Sequence, residues 1–401
     1  MHKHPLAIAA LILTLAPFAL ADDWPQFLGP DRNGISKESG WNSDVSKAKV
    51  LWTAEVGLGF SSFSVAGGKV YTLGHADGNE TVYCLDAATG EVKWKQSYPC
   101  DKIAKYYEGG SSSTPTIDGS SAYVLGKEGQ FHCFDAGTGK VKWKKDLKEE
   151  LGARTPEWGF SASPLILGDL VIVQANCTAA FKKESGELVW KTSPFQQAYG
   201  SPYPFEKGGK TYIADLNTEG LIVVDATKGN VVAQTRWKTT FNTNSTTPIV
   251  HGDHIFLSTG YGKGCGLFKF TGSDLEEVYT SKDMANHMNN SILHEGHLYG
   301  FHGNAHGGGR AVFRCIDFKT GKTKWTQDGL GCGSLTMADG KLIIFSERCD
   351  LVIAEASPEA YKEISRKSAV LKGRSWTQPV LANGRIYVRN VPGDVACVEV
   401  K

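Results

Sequence analysis

DAATGEVKW (Asp86–Trp94), DAGTGKVKW (Asp135–Trp143) and DFKTGKTKW (Asp317–Trp325) are one nine-residue phrase written three times. A worn copy, KKESGELVW, ends at Trp190, and DATKGNVV opens at Asp225. In each copy a polar residue and a Gly stand where a chain turns between two strands. The Gly is free to take positive φ, and an Asp can accept hydrogen bonds from the turn's amides. Spacings between copies fall near one or two periods of roughly 40–50 residues, the span of a four-stranded propeller blade.

A second phrase has the same period. SVAGGKVYTLG, TIDGSSAYVLG, LILGDLVIVQA, FEKGGKTYIAD, IVHGDHIFLST, ILHEGHLYGFH, TMADGKLIIFS and VLANGRIYVRN each join a short apolar piece, a tight turn and an alternating strand. Each unit therefore reads as strands A and B around this turn, then C and D around the D-x-x-T-G turn. The eighth unit stops after strand C, whereas KVLWTAEV (Lys49–Val56) near the start is an unattached strand D. Pairing the two closes a ring and removes open sheet edges. The predicted fold is all-β: an eight-bladed propeller over 49–401, its last blade closed by an N-terminal strand. An irregular arm over 22–48 lies on one face.

The opening phrase is packing. Asp86, Asp135 and Asp317, with Gly90, Gly139, Gly186 and Gly321, shape turns. Trp94, Trp143, Trp190 and Trp325 lie on the outer strand, where a repeated indole wedges between blades. Cys84, Cys133, Cys315 and Cys397 share one position in strand C, matched by Ala180 and Val223 in other copies, and read as small buried residues.

The 401 residues carry 43 Lys and Arg against 42 Asp and Glu, which does not favour nucleic acid. Residues 1–21 pair Lys3 with an apolar run, Leu6–Leu20, and end in Ala19-Leu20-Ala21. That pattern predicts a cleaved signal peptide and an exported, periplasmic or extracellular protein, and the run is too short for a membrane span. A monomer is expected.

The phrase, its period and the terminal closure resemble the tryptophan-docking repeats of pyrroloquinoline quinone (PQQ) propellers. DWPQFLGPDRNGIS, HLYGFHG, RCIDFKTGKTKW, GKLIIFSER and WTQPVLANGRIYVRN match a broad set of secreted PQQ-like propellers, over Asp22–Lys401. That superfamily holds both quinoprotein alcohol dehydrogenases and the non-catalytic lipoprotein BamB. The resemblance implies the fold strongly and the function weakly.

The A–B and C–D turns are tight and share one face, whereas the D–A and B–C loops on the other face are long and varied. The working face is therefore the D–A/B–C face. Strand A lines the axis, and its first residues place Trp158, Tyr199, Asn242, Asn244, His287, Asn289, Asn290, Arg374 and Trp376 near the channel mouth. These are the candidate ligand-binding residues; the many Ser and Thr beside them fit the crowding of eight strands. His287, His302 and His306 share this face without the spacing of a metal site, and no metal is predicted. PQQ with calcium needs an acidic base, carboxylate ligands and cations. Arg348, Arg374, Arg389 and Trp376 supply part of this, and Glu347 and Asp350 are the nearest acids, but no adjacent Cys-Cys pair or haem motif is present. The expected function is a non-catalytic module that takes a protein segment or small ligand. The alternatives are a quinoprotein oxidoreductase and a carbohydrate binder using Trp158, Tyr199 and Trp376. Cys332 and Cys349 fall in the seventh blade on the working face. They can form a disulfide if their Cα atoms come within about 4.4–6.8 Å, and otherwise stay thiols.

Overall fold

The computed structural model describes residues 22–305 and 311–401. The expected signal peptide, 1–21, lies outside the described residues, as do His306 and Arg310. Seven antiparallel four-stranded sheets, and an eighth that gains a fifth, parallel strand, form an eight-bladed propeller. Blade 1 runs through Ser64–Ala66, Lys69–Ala76, Asn79–Asp86 and Val92–Pro99. Blades 2 to 7 span 116–146, 165–191, 203–236, 249–281, 292–327 and 334–367. Blade 8 takes Val380–Ala382, Arg385–Arg389 and Asp394–Glu399 from the C-terminal end. Its fourth strand is Val50–Glu55, antiparallel to Asp394–Glu399 with Trp52 opposite Cys397. The predicted closure is present. Arg389 secures it from inside: its guanidinium donates to the carbonyls of Ser61, Leu73 and Gly57 in and beside blade 1, at 2.7–3.1 Å.

The docking phrase works as a joint between blades. Each Trp pairs across strands C and D with a small residue: Trp94 with Cys84, Trp143 with Cys133, Trp190 with Ala180, Trp325 with Cys315. This explains the repeated Cys position. A register shift follows each pair, and such a bulge turns the side chain out of the sheet's plane. The first three rings then lie flat on the turn Gly of the next blade. A Cβ built on Gly139 would stand 2.6 Å from the Trp94 ring, and one on Gly229 2.5 Å from Trp190. The indole N–H donates to a carbonyl of the same turn: Trp94 to Ala136 at 3.0 Å, Trp143 to Lys183 at 2.7 Å, Trp190 to Ala226 at 3.1 Å. Trp325 donates to Ser357 O at 2.9 Å. Trp52, on the closing strand, docks on Gly90 and donates to Ala87 O, a member of the set the sequence reading left out.

The remaining junctions substitute other groups. In blade 4 the docking position is Ala233, and the apolar cluster it joins is filled by Phe270 of blade 5 against Phe205 and Tyr212. In blade 5 it is Tyr279, whose ring covers Gly321 and whose hydroxyl donates to Phe318 O at 2.9 Å. In blade 7 it is Ser365, which donates to Ser43 O and accepts from Val45 N, while Trp41 and Val45 of the arm fill the apolar space.

The arm crosses the axis on the A–B turn face. Trp24 bridges to Val65 of blade 1, Pro25 O accepts from Ile117 N of blade 2, and Ile35–Ser36 pairs in parallel with Met337–Ala338 of blade 7. Glu38 accepts from the amides of Asn383 and Gly384 in blade 8. Between these anchors Arg32 reaches the carbonyls of Pro164 and Pro202 in blades 3 and 4. The arm thereby floors the channel.

Candidate functional site

At the start of strand A in blades 2 to 6 a short polar side chain faces the preceding blade. Ser62 N donates to Thr114 Oγ1 at 3.1 Å, Thr114 N to Ser163 Oγ at 2.9 Å, and Ser163 N to Ser201 Oγ at 2.8 Å. Ser201 N donates to Thr247 Oγ1 at 3.1 Å, and Thr247 N to Asn290 Oδ1 at 3.1 Å. The hydroxyls are small because the axis is crowded. They are polar because strand A at this point has an amide with no ladder partner, and a buried amide must be satisfied.

Above this ring opens a cavity of about 530 Å³ on the D–A/B–C face. Its floor is Phe27 and Leu28 of the arm. Its wall is aromatic: Phe60 and Trp376 stack at 5.5 Å, Trp158 and Tyr199 meet edge to face at 5.7 Å, and Phe241 and Tyr261 at 4.9 Å. Tyr261 also packs perpendicular to His287 at 4.8 Å. The loop after blade 1 rims one side, where Lys105 pairs with Glu157 and Tyr106 is 83% exposed. Trp158 Nε1 donates to Lys105 O, and Tyr107 OH to Trp158 O, so the loops before blades 2 and 3 are locked together. Behind Tyr107, Lys127 is fully buried. It donates to Tyr107 Oη and Ser112 Oγ, both at 2.7 Å, and burial pushes its ammonium down to about 8.

Of the nine expected residues, Trp158, Tyr199, His287, Asn289, Asn290 and Trp376 line the cavity. Asn242, Asn244 and Arg374 do not. Asn242 sits in the left-handed region, φ 56°, in a loop turn. Asn244 is buried and spends its amide on the carbonyls of Asn217 and Trp237, while its oxygen accepts from Thr259. Arg374 lies over the Trp376 ring at 4.0 Å and pairs with Glu108. Asn289 and Asn290, though at the wall, are also occupied: Asn289 donates to Gly333 O, and Asn290 clasps both backbone groups of Thr247. An amide with two donors and an acceptor suits a backbone clasp as well as a ligand. Phe60, Tyr107, Phe241 and Tyr261 were not singled out from sequence. They lie in long loops or beside small strand residues, where no period marks them.

Of the two outcomes left open for Cys332 and Cys349, the disulfide is not formed and both stand as free thiols. Cys332 lies by Trp376 and Ala311, whereas Cys349 turns at φ 64° into a separate cluster with Val45 and Leu371. Burial raises both thiols to about 12. Among the described residues no group of three or more His, Cys, Asp and Glu is placed to hold a metal ion.

A calcium-held quinone does not fit the described residues. Glu157 is the one carboxylate on the described wall, and Lys105 neutralises it. Glu347 accepts from Trp376 Nε1 and Cys332 N, Asp350 pairs with Arg366, and Arg389 is consumed by ring closure. The Trp376 ring, the natural stacking platform, is already covered by Phe60 and Arg374.

A family model described as "Outer membrane protein assembly factor BamB" matches residues 38–105 and 79–327. The chain belongs to this family. Among solved structures, BamB from Moraxella catarrhalis is 17% identical with a TM-score of 0.63, covering 88% of this chain and 99% of that one. The quinohemoprotein alcohol dehydrogenase from Comamonas testosteroni is 13% identical, TM-score 0.67, covering 94% and 80%. A europium-containing methanol dehydrogenase is 12% identical, TM-score 0.73, covering 94% and 98%. At these identities the likeness establishes the shared propeller. No curated protein sequence matches the chain. As a member of the BamB family the chain keeps the eight-bladed frame, and its mouth must be read from its own residues.

Proposed function

We propose that this chain is a non-catalytic binding module, and that its mouth cavity takes an apolar or aromatic side chain from a protein segment, or a small ligand of that shape. The supporting observation is an aromatic wall, Phe60, Trp158, Tyr199, Phe241, Tyr261 and Trp376, over a ring of short polar side chains four of which are spent on the scaffold. Ser163, Ser201, Thr247 and Asn290 each satisfy a backbone amide. Most of the binding energy then comes from stacking and apolar burial, about 25 cal/mol per Å² of apolar surface covered, with Thr243 Oγ1 and Gln378 Oε1 left to orient the guest. Membership of the outer membrane protein assembly factor family is in keeping with a protein partner. We also read the chain as an exported monomer, from Leu6–Leu20 and the Ala19–Ala21 site. No helix among the described residues is long and apolar enough to cross a membrane.

The test is in-cell photocrosslinking from a benzophenone amino acid at position 106, on the exposed rim. The expected result is a discrete polypeptide adduct in the exported fraction, lost in Trp158→Ala and Tyr199→Ala. Mature protein beginning at Asp22 checks the export reading. PQQ with calcium retained through gel filtration, with dye-linked alcohol oxidation, would replace the proposal with the oxidoreductase reading. Saturable binding of an oligosaccharide, abolished by Trp158→Ala, would replace it with a carbohydrate site.

A further inference from the structure

A second cavity, of about 640 Å³, lies under the arm on the opposite face, between blades 5 and 6. Its inner end is formed by Arg32, Asn33 and Leu28 of the arm and Tyr203 of blade 4. Its body is apolar, with Ile249, Leu267, Leu293 and Phe318, and Lys319 and Glu295 stand at the outer end. The junction is one where Tyr279 replaces the docking Trp.

Arg32 is the unusual group. It is 3% exposed, and among the described residues no carboxylate pairs with it. Its neighbour Asp31 is taken by Lys37. The Nη atoms reach Gln26 Oε1 at 3.0 Å and two proline carbonyls at 3.3 and 3.4 Å, and Nε has no hydrogen-bond partner among the described residues. A buried cation without a counter-ion is costly, and burial lowers this guanidinium to about 10. Guanidinium forks match planar carboxylates. One buried positive charge beside a long apolar wall suits a monoanion with an apolar body.

We propose that this cavity is a binding site for a small carboxylate with an apolar body, its head group on Arg32 and its body along Ile249, Leu267 and Leu293. The anion supplies the charge that the fold omits. The site lies on the other side of the arm from the mouth cavity, with Leu28 and Asn290 between the two.

The test is calorimetric titration of the full exported chain with octanoate, 1-octanol and inorganic phosphate. Octanoate is expected to bind at one site and raise Tm, and 1-octanol, which lacks the charge, to bind at least about tenfold more weakly, the scale of a charge-assisted hydrogen bond. Arg32→Met should reduce octanoate to the level of octanol. Because that change touches the arm, Leu293→Trp keeps Arg32 and fills the body, and should abolish both. Trp158→Ala at the other mouth should change neither. Absent saturable octanoate binding, equal binding of octanol, preference for phosphate, or full octanoate affinity in Leu293→Trp would each overturn the proposal.

Discussion

From blade 8 round to blade 4, four successive junctions are closed by an indole on a glycine: Trp52 on Gly90, Trp94 on Gly139, Trp143 on Gly186 and Trp190 on Gly229. From blade 4 back to blade 8 the same joint is made four different ways. Phe270 fills the apolar cluster that Ala233 joins, Tyr279 covers Gly321, Trp325 reaches Ser357 O, and Ser365 holds the arm. One half repeats a sentence and the other paraphrases it. The propeller requires only that the wedge between blades be filled and its polar edge satisfied. The second cavity opens between blades 5 and 6, where Tyr279 stands in for the indole.

The largest effect should come from removing the strand and arm that join the halves. Deleting residues 22–56 leaves Asp394–Glu399 as a bare edge, removes Val45 and so uncovers Leu381 and Val398, and opens the channel floor. The expected product is aggregated, with no cooperative unfolding transition. A soluble monomer with an unchanged Tm, by gel filtration and calorimetry, would refute the closure.

Within the ring the halves should differ in magnitude. Trp94→Ala removes a buried indole and its hydrogen bond, with a cost of about 3–5 kcal/mol. Tyr279→Phe keeps the wedge and loses one hydrogen bond, about 1 kcal/mol. Equal shifts in urea midpoint would erase the distinction. A glycine pair isolates the docking contact itself. Gly139 and Gly119 both have positive φ, 74° and 55°, but a Cβ meets the Trp94 ring at Gly139 and nothing within 4 Å at Gly119. Gly119→Ala should cost about 1 kcal/mol from backbone strain, and Gly139→Ala roughly 1–3 kcal/mol more because the indole is displaced.

The repeating half was legible in the sequence because its letters recur. The Gly of Gly90 recurs in every copy, and the letters of Asp86 and Trp94 recur in most of them. The paraphrased half was not, since Tyr279 and Ser365 share no letter with Trp, and Trp52 joins the set only once the ends meet. At the mouth, Trp158, Tyr199 and Trp376 stood out because crowding at an axis does not call for large rings. The Asn residues stood out for the same reason, yet Asn244 and Asn290 are there to clasp backbone. Phe241 and Tyr261 belong to aperiodic loops, and Arg32 to an arm outside the repeat. Cys332 and Cys349 were placed on one blade correctly, but sequence does not give the direction of a side chain, and theirs diverge.

The docked half also holds a polar contact with a measurable signature. Asp215 of blade 4 is fully buried against blade 3, accepting from Thr178 Oγ1 at 2.6 Å and from Gln174 Nε2. Burial raises its carboxyl to about 6 in spite of those donors. In the unfolded chain it titrates near the ordinary value, about 3.9. As pH climbs, the unfolded state therefore loses the proton first. Stability is full below about 4, falls as pH rises toward 6, and is flat above, with a total loss of order 3 kcal/mol. Asp215→Asn keeps an acceptor for Thr178 and removes the titration. Its Tm relative to wild type should accordingly be higher at pH 7 than at pH 4, by a few degrees in scanning calorimetry. A constant offset between the two proteins across that range would show that the carboxylate is accommodated without cost, and that the docked junction is no tighter electrostatically than the rest of the ring.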